Sequence, residues 1–174
     1  MDKIEEILSA KIKPKEKQQR LVRAVCDGKI TAADFISFFK TTSDINKGNC
    51  ADAMKHISAE KPEILGPYID VLTRYINYKL PRVKWGVQEA IGNLSKNYPE
   101  ETAKAVPFIL KNTVDGKENT TVIKWCAAYA LSEIAKNNPK TRKELTPIFE
   151  SIVKKEKNSG VRNVYIKALK LVDK

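Results

Sequence analysis

Trp85 and Trp125 stand 40 residues apart, each directly behind a lysine, in "VKW" and "IKW". An indole offers a broad apolar face and one N–H donor, which suits recognition better than bond-making. Residues that could break bonds are poorly placed. The chain has one histidine, His56, which no Ser/His/Asp or Cys/His set can use convincingly. Cys26, Cys50 and Cys126 are far apart, form no CxxC, and lack a second ligand at helical spacing from His56, so no metal site is expected. Acidic residues are scattered, so paired carboxylates on one helix face are scarce. Neither a Gly-rich phosphate loop nor HExxH occurs. "VDGKEN" at 114–119 carries a turn signal and two acids without calcium-loop spacing, and reads as a solvated connection. The expectation is a protein with no catalytic residues, no cofactor and no small-molecule substrate.

Composition agrees. The 174 residues are 42% hydrophobic, enough for a packed core and unlike a disordered tail. No apolar run reaches the length that spans a bilayer. The first residues, "MDKIEEILSAKIKPK", place acids within their apolar period, unlike a signal peptide, so the expected compartment is the cytoplasm, with reduced, buried thiols. Net charge is +11 and uneven. From Ala135 to Lys174 there are 11 Lys/Arg against 4 Asp/Glu, and from Lys11 to Arg23 there are 6 against 1. Such ends can attract nucleic acid or an acidic protein, or can simply be solvated helix exteriors.

The elements that must position these residues are helical throughout, since no window shows sustained strand alternation. Pro14, Gly28, Thr31, Pro62, Pro67, Pro81, Pro99, Gly116, Pro139 and Gly160 cut the chain into about ten short helices. "TAAD" at 31–34 predicts an N-cap, and Pro62, Pro99 and Pro139 suit first helical turns.

Four segments align: "NKGNCADAMKHI" from Asn46, "VKWGVQEAIGNL" from Val83, "IKWCAAYALSEI" from Ile123 and "VRNVYIKALKLV" from Val161, offset by 37, 40 and 38 residues. Each has a basic second residue, Lys47, Lys84, Lys124 or Arg162, which is expected to meet an acid or a helix C-terminus. Each has alanine eighth (Ala53, Ala90, Ala130, Ala168), where helices can approach closely. Pro67, Pro107 and Pro147 recur in the preceding helices at a spacing of 40 and should bend them.

This pattern resembles HEAT repeats, well over residues 62–174 and weakly over 30–59. The resemblance implies an all-α, right-handed α-α superhelix, a HEAT-like solenoid of helix pairs at about 30–61, 62–98, 99–138 and 139–174 after a helical cap at 1–29. It also implies an acid six residues before the basic position, tying neighbouring repeats together. Glu118 and Glu156 fit; Tyr78 and Thr41 do not.

On a helical wheel Val83, Val87, Ala90, Ile91 and Leu94 share the core side, and Trp85 falls nearly opposite with Glu89, Gly92 and Lys96. The next copy puts Trp125, Tyr129, Ser132 and Lys136 there, and the last Asn163, Lys167, Lys170 and Lys174. In a solenoid of this kind second helices line the concave surface. Trp85, Glu89, Lys96, Trp125, Tyr129, Lys136, Lys167 and Lys170 are therefore the candidate partner-binding residues. The alternative is packing: Trp85 against the following repeat, or Trp125 stacked on Trp85. His56, late in its helix, reads as a helix-end residue.

Two functions follow. One is a non-catalytic scaffold that engages a protein or peptide on the concave face. The other is a nucleic-acid binder, with lysines on phosphates and aromatics on bases. DNA alkylation-repair glycosylases are similar in kind, with HEAT-like helices and a basic, aromatic-lined groove, but their catalytic aspartate has no counterpart among these positions, where the acids are Glu89 and Glu133. No membrane partner is expected.

Overall fold

The computed structural model describes residues 3–172. The helices are α1 Lys3–Ser9, α2 Pro14–Cys26, α3 Ala32–Thr41, α4 Asp44–Glu60, α5 Pro62–Leu65, α6 Ile69–Arg74, α7 Pro81–Leu94, α8 Pro99–Ala103, α9 Val106–Leu110, α10 Thr121–Asn137, α11 Pro139–Lys155 and α12 Ser159–Val172; a 3-10 turn, Gly66–Tyr68, joins α5 to α6. No strand occurs among the described residues.

Local chemistry fixes the helix ends. Pro62, Pro99 and Pro139 lie in first turns, where a missing N–H costs no bond. Thr31, Ser43, Thr120 and Asn138 cap α3, α4, α10 and α11 by accepting from Asp34, Asn46, Ile123 and Thr141 amides. Gly28 ends α2 at φ 72°, and the amides of Gly28 and Ile30 return to the carbonyls of Val25 and Ala24.

The recurrent prolines act differently from one another. Pro67 sits in the 3-10 turn and Pro107 in the first turn of α9, so two of the expected bent helices are each broken in two. Pro147 lies inside an uninterrupted α11. The breaks raise the helix number from the expected ten or so to twelve among the described residues.

Helices α4, α7, α10 and α12 pack in succession, and α2 abuts α4. One core runs from Ile4 to Ala168. Val83, Val87, Ala90, Ile91 and Leu94 are fully buried, as their wheel position requires. Contact is backbone-close: a Cβ on Gly86 would lie 2.5 Å from the Ala51 carbonyl oxygen, and one on Gly92 3.0 Å from the Ala130 Cα. Cys26, Cys50 and Cys126 are buried.

Candidate binding surface

Trp125 and Tyr129 are one helical turn apart on α10, so their side chains meet. The rings stack with centroids 5.8 Å apart and planes 3° from parallel. Trp125 remains 40% exposed, and Tyr129 is half-buried. The Tyr129 hydroxyl donates to Asn93 Oδ1 on α7. Asn93 Nδ2 donates to the Lys55 carbonyl at 2.8 Å and Ser58 Oγ at 3.1 Å on α4. A hydrogen-bond chain across three helices thus holds the aromatic pair. Burial, then the Glu133 and Glu89 carboxylates, push the Tyr129 phenol up from its ordinary value, so it stays a donor near neutrality.

Trp85 is half-buried, and its ring stacks on no other aromatic among the described residues. The alternative of a Trp85–Trp125 stack is therefore replaced by Trp125–Tyr129, because i,i+4 neighbours on one helix outcompete a partner one helix away.

Charge changes sign along the row. The seventh positions of the successive second helices are Asp52, Glu89, Tyr129 and Lys167. Arg82 Nη2 clamps Asp52 at 2.7 Å, and Lys55 stands 3.5 Å away. Glu89 Oε1 accepts from Cys126 Sγ–H at 3.3 Å. Burial, and secondarily Glu89, push that thiol well up, so it is protonated and poorly nucleophilic. Lys96, Lys136, Lys167 and Lys170 are exposed. Lys136 reaches Glu133 only at 3.9 Å, and the other three make no ion pair among the described residues. Lys174 lies outside the described residues.

Asp52, Arg82 and Asn93 were missed by the sequence reading. Asp52 could have been found, since it holds the wheel position of Glu89. Asn93 carried no signal, because its role depends on helix–helix distance.

Of the basic second positions, Lys47 and Lys124 find the partners expected of them, whereas Lys84, buried like them, meets neither an acid nor a helix end among the described residues. Lys47 Nζ donates to the Thr42 carbonyl at the end of α3, at 2.6 Å. Lys124 Nζ lies 2.7 Å from Asp115 Oδ1 and 2.8 Å from Glu156 Oε2, and the pair with Glu156 ties α10 to the following helix pair. Burial lowers the Lys124 pKa, but the hydrogen bonds to Asp115 and Glu156 outweigh it and leave the value raised. Glu118 does not play the role expected of it: it is exposed and makes no ion pair among the described residues. The loop turns Asp115 toward Lys124 instead, held by Asn119 Nδ2 bonds to the Lys111 and Val114 carbonyls, both 3.0 Å.

Among the described residues no three His, Cys, Asp or Glu side chains gather as metal ligands, and no helix is long and apolar enough to cross a membrane. No family profile and no curated protein matches the sequence. Solved structures do match. A designed armadillo repeat protein superposes with TM-score 0.65 at 18% identity, over 90% of this chain and 68% of its own. The fold is that of an armadillo/HEAT-like helical-repeat solenoid. An engineered protein superposes at TM-score 0.72 and 16% identity, over 98% of this chain and 78% of its own. A designed armadillo repeat protein in complex with the peptide (KR)4 gives TM-score 0.69 at 16% identity, over 98% and 72%.

Proposed function

We propose that the chain is a non-catalytic scaffold that binds a protein segment on the concave face of its second helices. The carrying observation is the Trp125–Tyr129 stack: an aromatic slab on the side of α10 away from the core, 40% exposed at the indole and braced by Asn93. Rigid, part-exposed aromatics of this kind form binding hot spots because little entropy is lost when they are covered. A solenoid neighbour in complex with a peptide supports the mode of binding in kind. We assign Trp85, Glu89, Lys96, Lys136, Lys167 and Lys170 to the rim of the same surface, and the helix pairs α3–α4, α5–α7, α8–α10 and α11–α12 to successive repeats.

A nucleic-acid partner fits less well. Asp52, Glu89 and Glu133 share the surface with the lysines, and they would repel a phosphate backbone running its length.

The test is a random-peptide array probed with the wild-type chain and with Trp125→Ala. The reading expects a set of peptides retained by the wild type and lost with the variant. Equal retention of every peptide by both proteins contradicts it.

A further inference from the structure

At the C-terminal end of this surface, between α10 and α12, lies a pocket of about 180 Å³ lined by Ser132, Ala135, Lys136, Arg142, Ala168 and Leu171. It is smaller than the roughly 300–1,000 Å³ of small-molecule sites and suits one side chain. Its polar groups keep spare donors among the described residues. Ser132 Oγ is buried with no hydrogen-bond partner among the described residues. Arg142 spends Nε on the Ala135 carbonyl at 2.9 Å and Nη2 on the Lys136 carbonyl at 3.0 Å. Those bonds cap the C-terminus of α10 and fix the guanidinium, while Nη1 is left without an acceptor among the described residues. Among the described residues the Lys136 ammonium holds only its loose contact with Glu133. The remaining wall is apolar, and Leu171 is 54% exposed.

We propose that this pocket anchors a glutamate or aspartate side chain of an acidic peptide segment. The carboxylate accepts from Ser132 Oγ–H, Lys136 Nζ and the free Arg142 N–H. Charge-assisted bonds of this kind are the stronger ones, and they relieve a buried hydroxyl that now has no partner. The methylene stem covers Ala168 and Leu171. Lys167 and Lys170, exposed on the neighbouring helix and without an ion pair among the described residues, supply the field that favours further acids beside the first. Trp125 and Ser132 are about 10 Å apart along the helix axis. An extended peptide covers that distance in about three residues, so the recognised segment carries an apolar or aromatic residue about three positions from its anchoring acid. The inference rests on the proposed function and adds the partner's chemistry, which is opposite in sign to the basic peptide of the solenoid neighbour.

The test keeps both tryptophans and reads binding from the fluorescence anisotropy of a dye on each ligand, so that Trp125→Ala is read in the same way. The chain is titrated into three blocked peptides of equal length that pair leucine with glutamate, glutamine or lysine at three-residue spacing, and into a thymidine oligonucleotide of the same charge as the acidic peptide. The acidic peptide should bind at least about tenfold tighter than its glutamine counterpart. Ser132→Leu, which fills the pocket, and Leu171→Glu, an exposed change that leaves folding intact, should each weaken it by about tenfold or more. Lys40→Glu, on α3, should leave it unchanged. Equal binding of the glutamate and glutamine peptides, or acidic binding undiminished in both pocket variants, overturns the inference. So does preference for the lysine peptide or the oligonucleotide. If one of those is bound and is lost with Trp125→Ala, the surface stands and only the pocket's ligand is wrong. Should Trp125→Ala alter no titration, the surface falls as well.

Discussion

Lys84 and Lys124 occupy the same position of successive helices, and both are 7% exposed. Their surroundings differ. Lys124 has Asp115 and Glu156, whereas Lys84 has no side-chain hydrogen bond or ion pair among the described residues. Removing one member of a buried pair costs about 3–5 kcal/mol. Lys124→Met should fall in that range by urea denaturation, because Glu156 is left buried without its cation, and Lys84→Met should be neutral or stabilising. The pH dependence has a definite sign. Hydrogen bonding from Lys124 holds the Asp115 carboxyl below its ordinary value. Its stabilising contribution is therefore complete above about pH 3.9 and disappears as acid protonates it below that. Lys124 is raised, so its share is complete below about pH 10.4 and disappears as pH climbs through its higher folded value. Asp115→Asn should flatten the loss of urea midpoint with acidification. That Lys47 finds a helix end and Lys124 an anion was legible from the repeated spacing, but Lys84 finds neither among the described residues. That Asp115 and not Glu118 answers Lys124 was not, because loop conformation decides which acid turns inward.

The second helices were legible as elements because a core stripe recurs in each. Their depth of contact was less so. The eighth-position alanine was the close-approach residue the spacing offered, yet the missing side chain of Gly86 is what lets α7 meet the α4 backbone. Gly86→Ala should destabilise by about 1–3 kcal/mol through overpacking, seen in the urea midpoint. The prolines separate by context. Pro147→Ala should stabilise by up to about 3 kcal/mol, since it restores a donor inside a continuous helix. Pro107→Ala should change little, because a first-turn N–H has no intrahelical acceptor to lose. Cysteine burial follows from the same stripe. In the folded chain all three thiols should resist a disulfide reagent, Cys126 most of all because burial and Glu89 disfavour its thiolate, and all three should react together once urea unfolds it.

Over the whole molecule, recurrence at 37–40 residues made the solenoid readable, since a pair that cannot bury its own face must stack. The surface was half readable. Wheel positions placed Trp125, Tyr129 and the lysines on the exposed side, but the stacking of Trp125 on Tyr129 and the Asn93 brace depend on rotamers and interhelical distance. The net charge of +11 gives a further test on a heparin column. With acids interleaved among the lysines, elution should occur at moderate salt and shift little with Trp125→Ala. A phosphate-binding groove would instead show a steep salt dependence that the variant relaxes. The most direct measurement follows the two indole N–H signals and the backbone amides in a two-dimensional NMR titration with an array-selected peptide. The account predicts shifts concentrated on the Trp125 indole and on residues 85–96, 125–136 and 163–171. Shifts confined to α9 and α11, with both indoles unmoved, would contradict it.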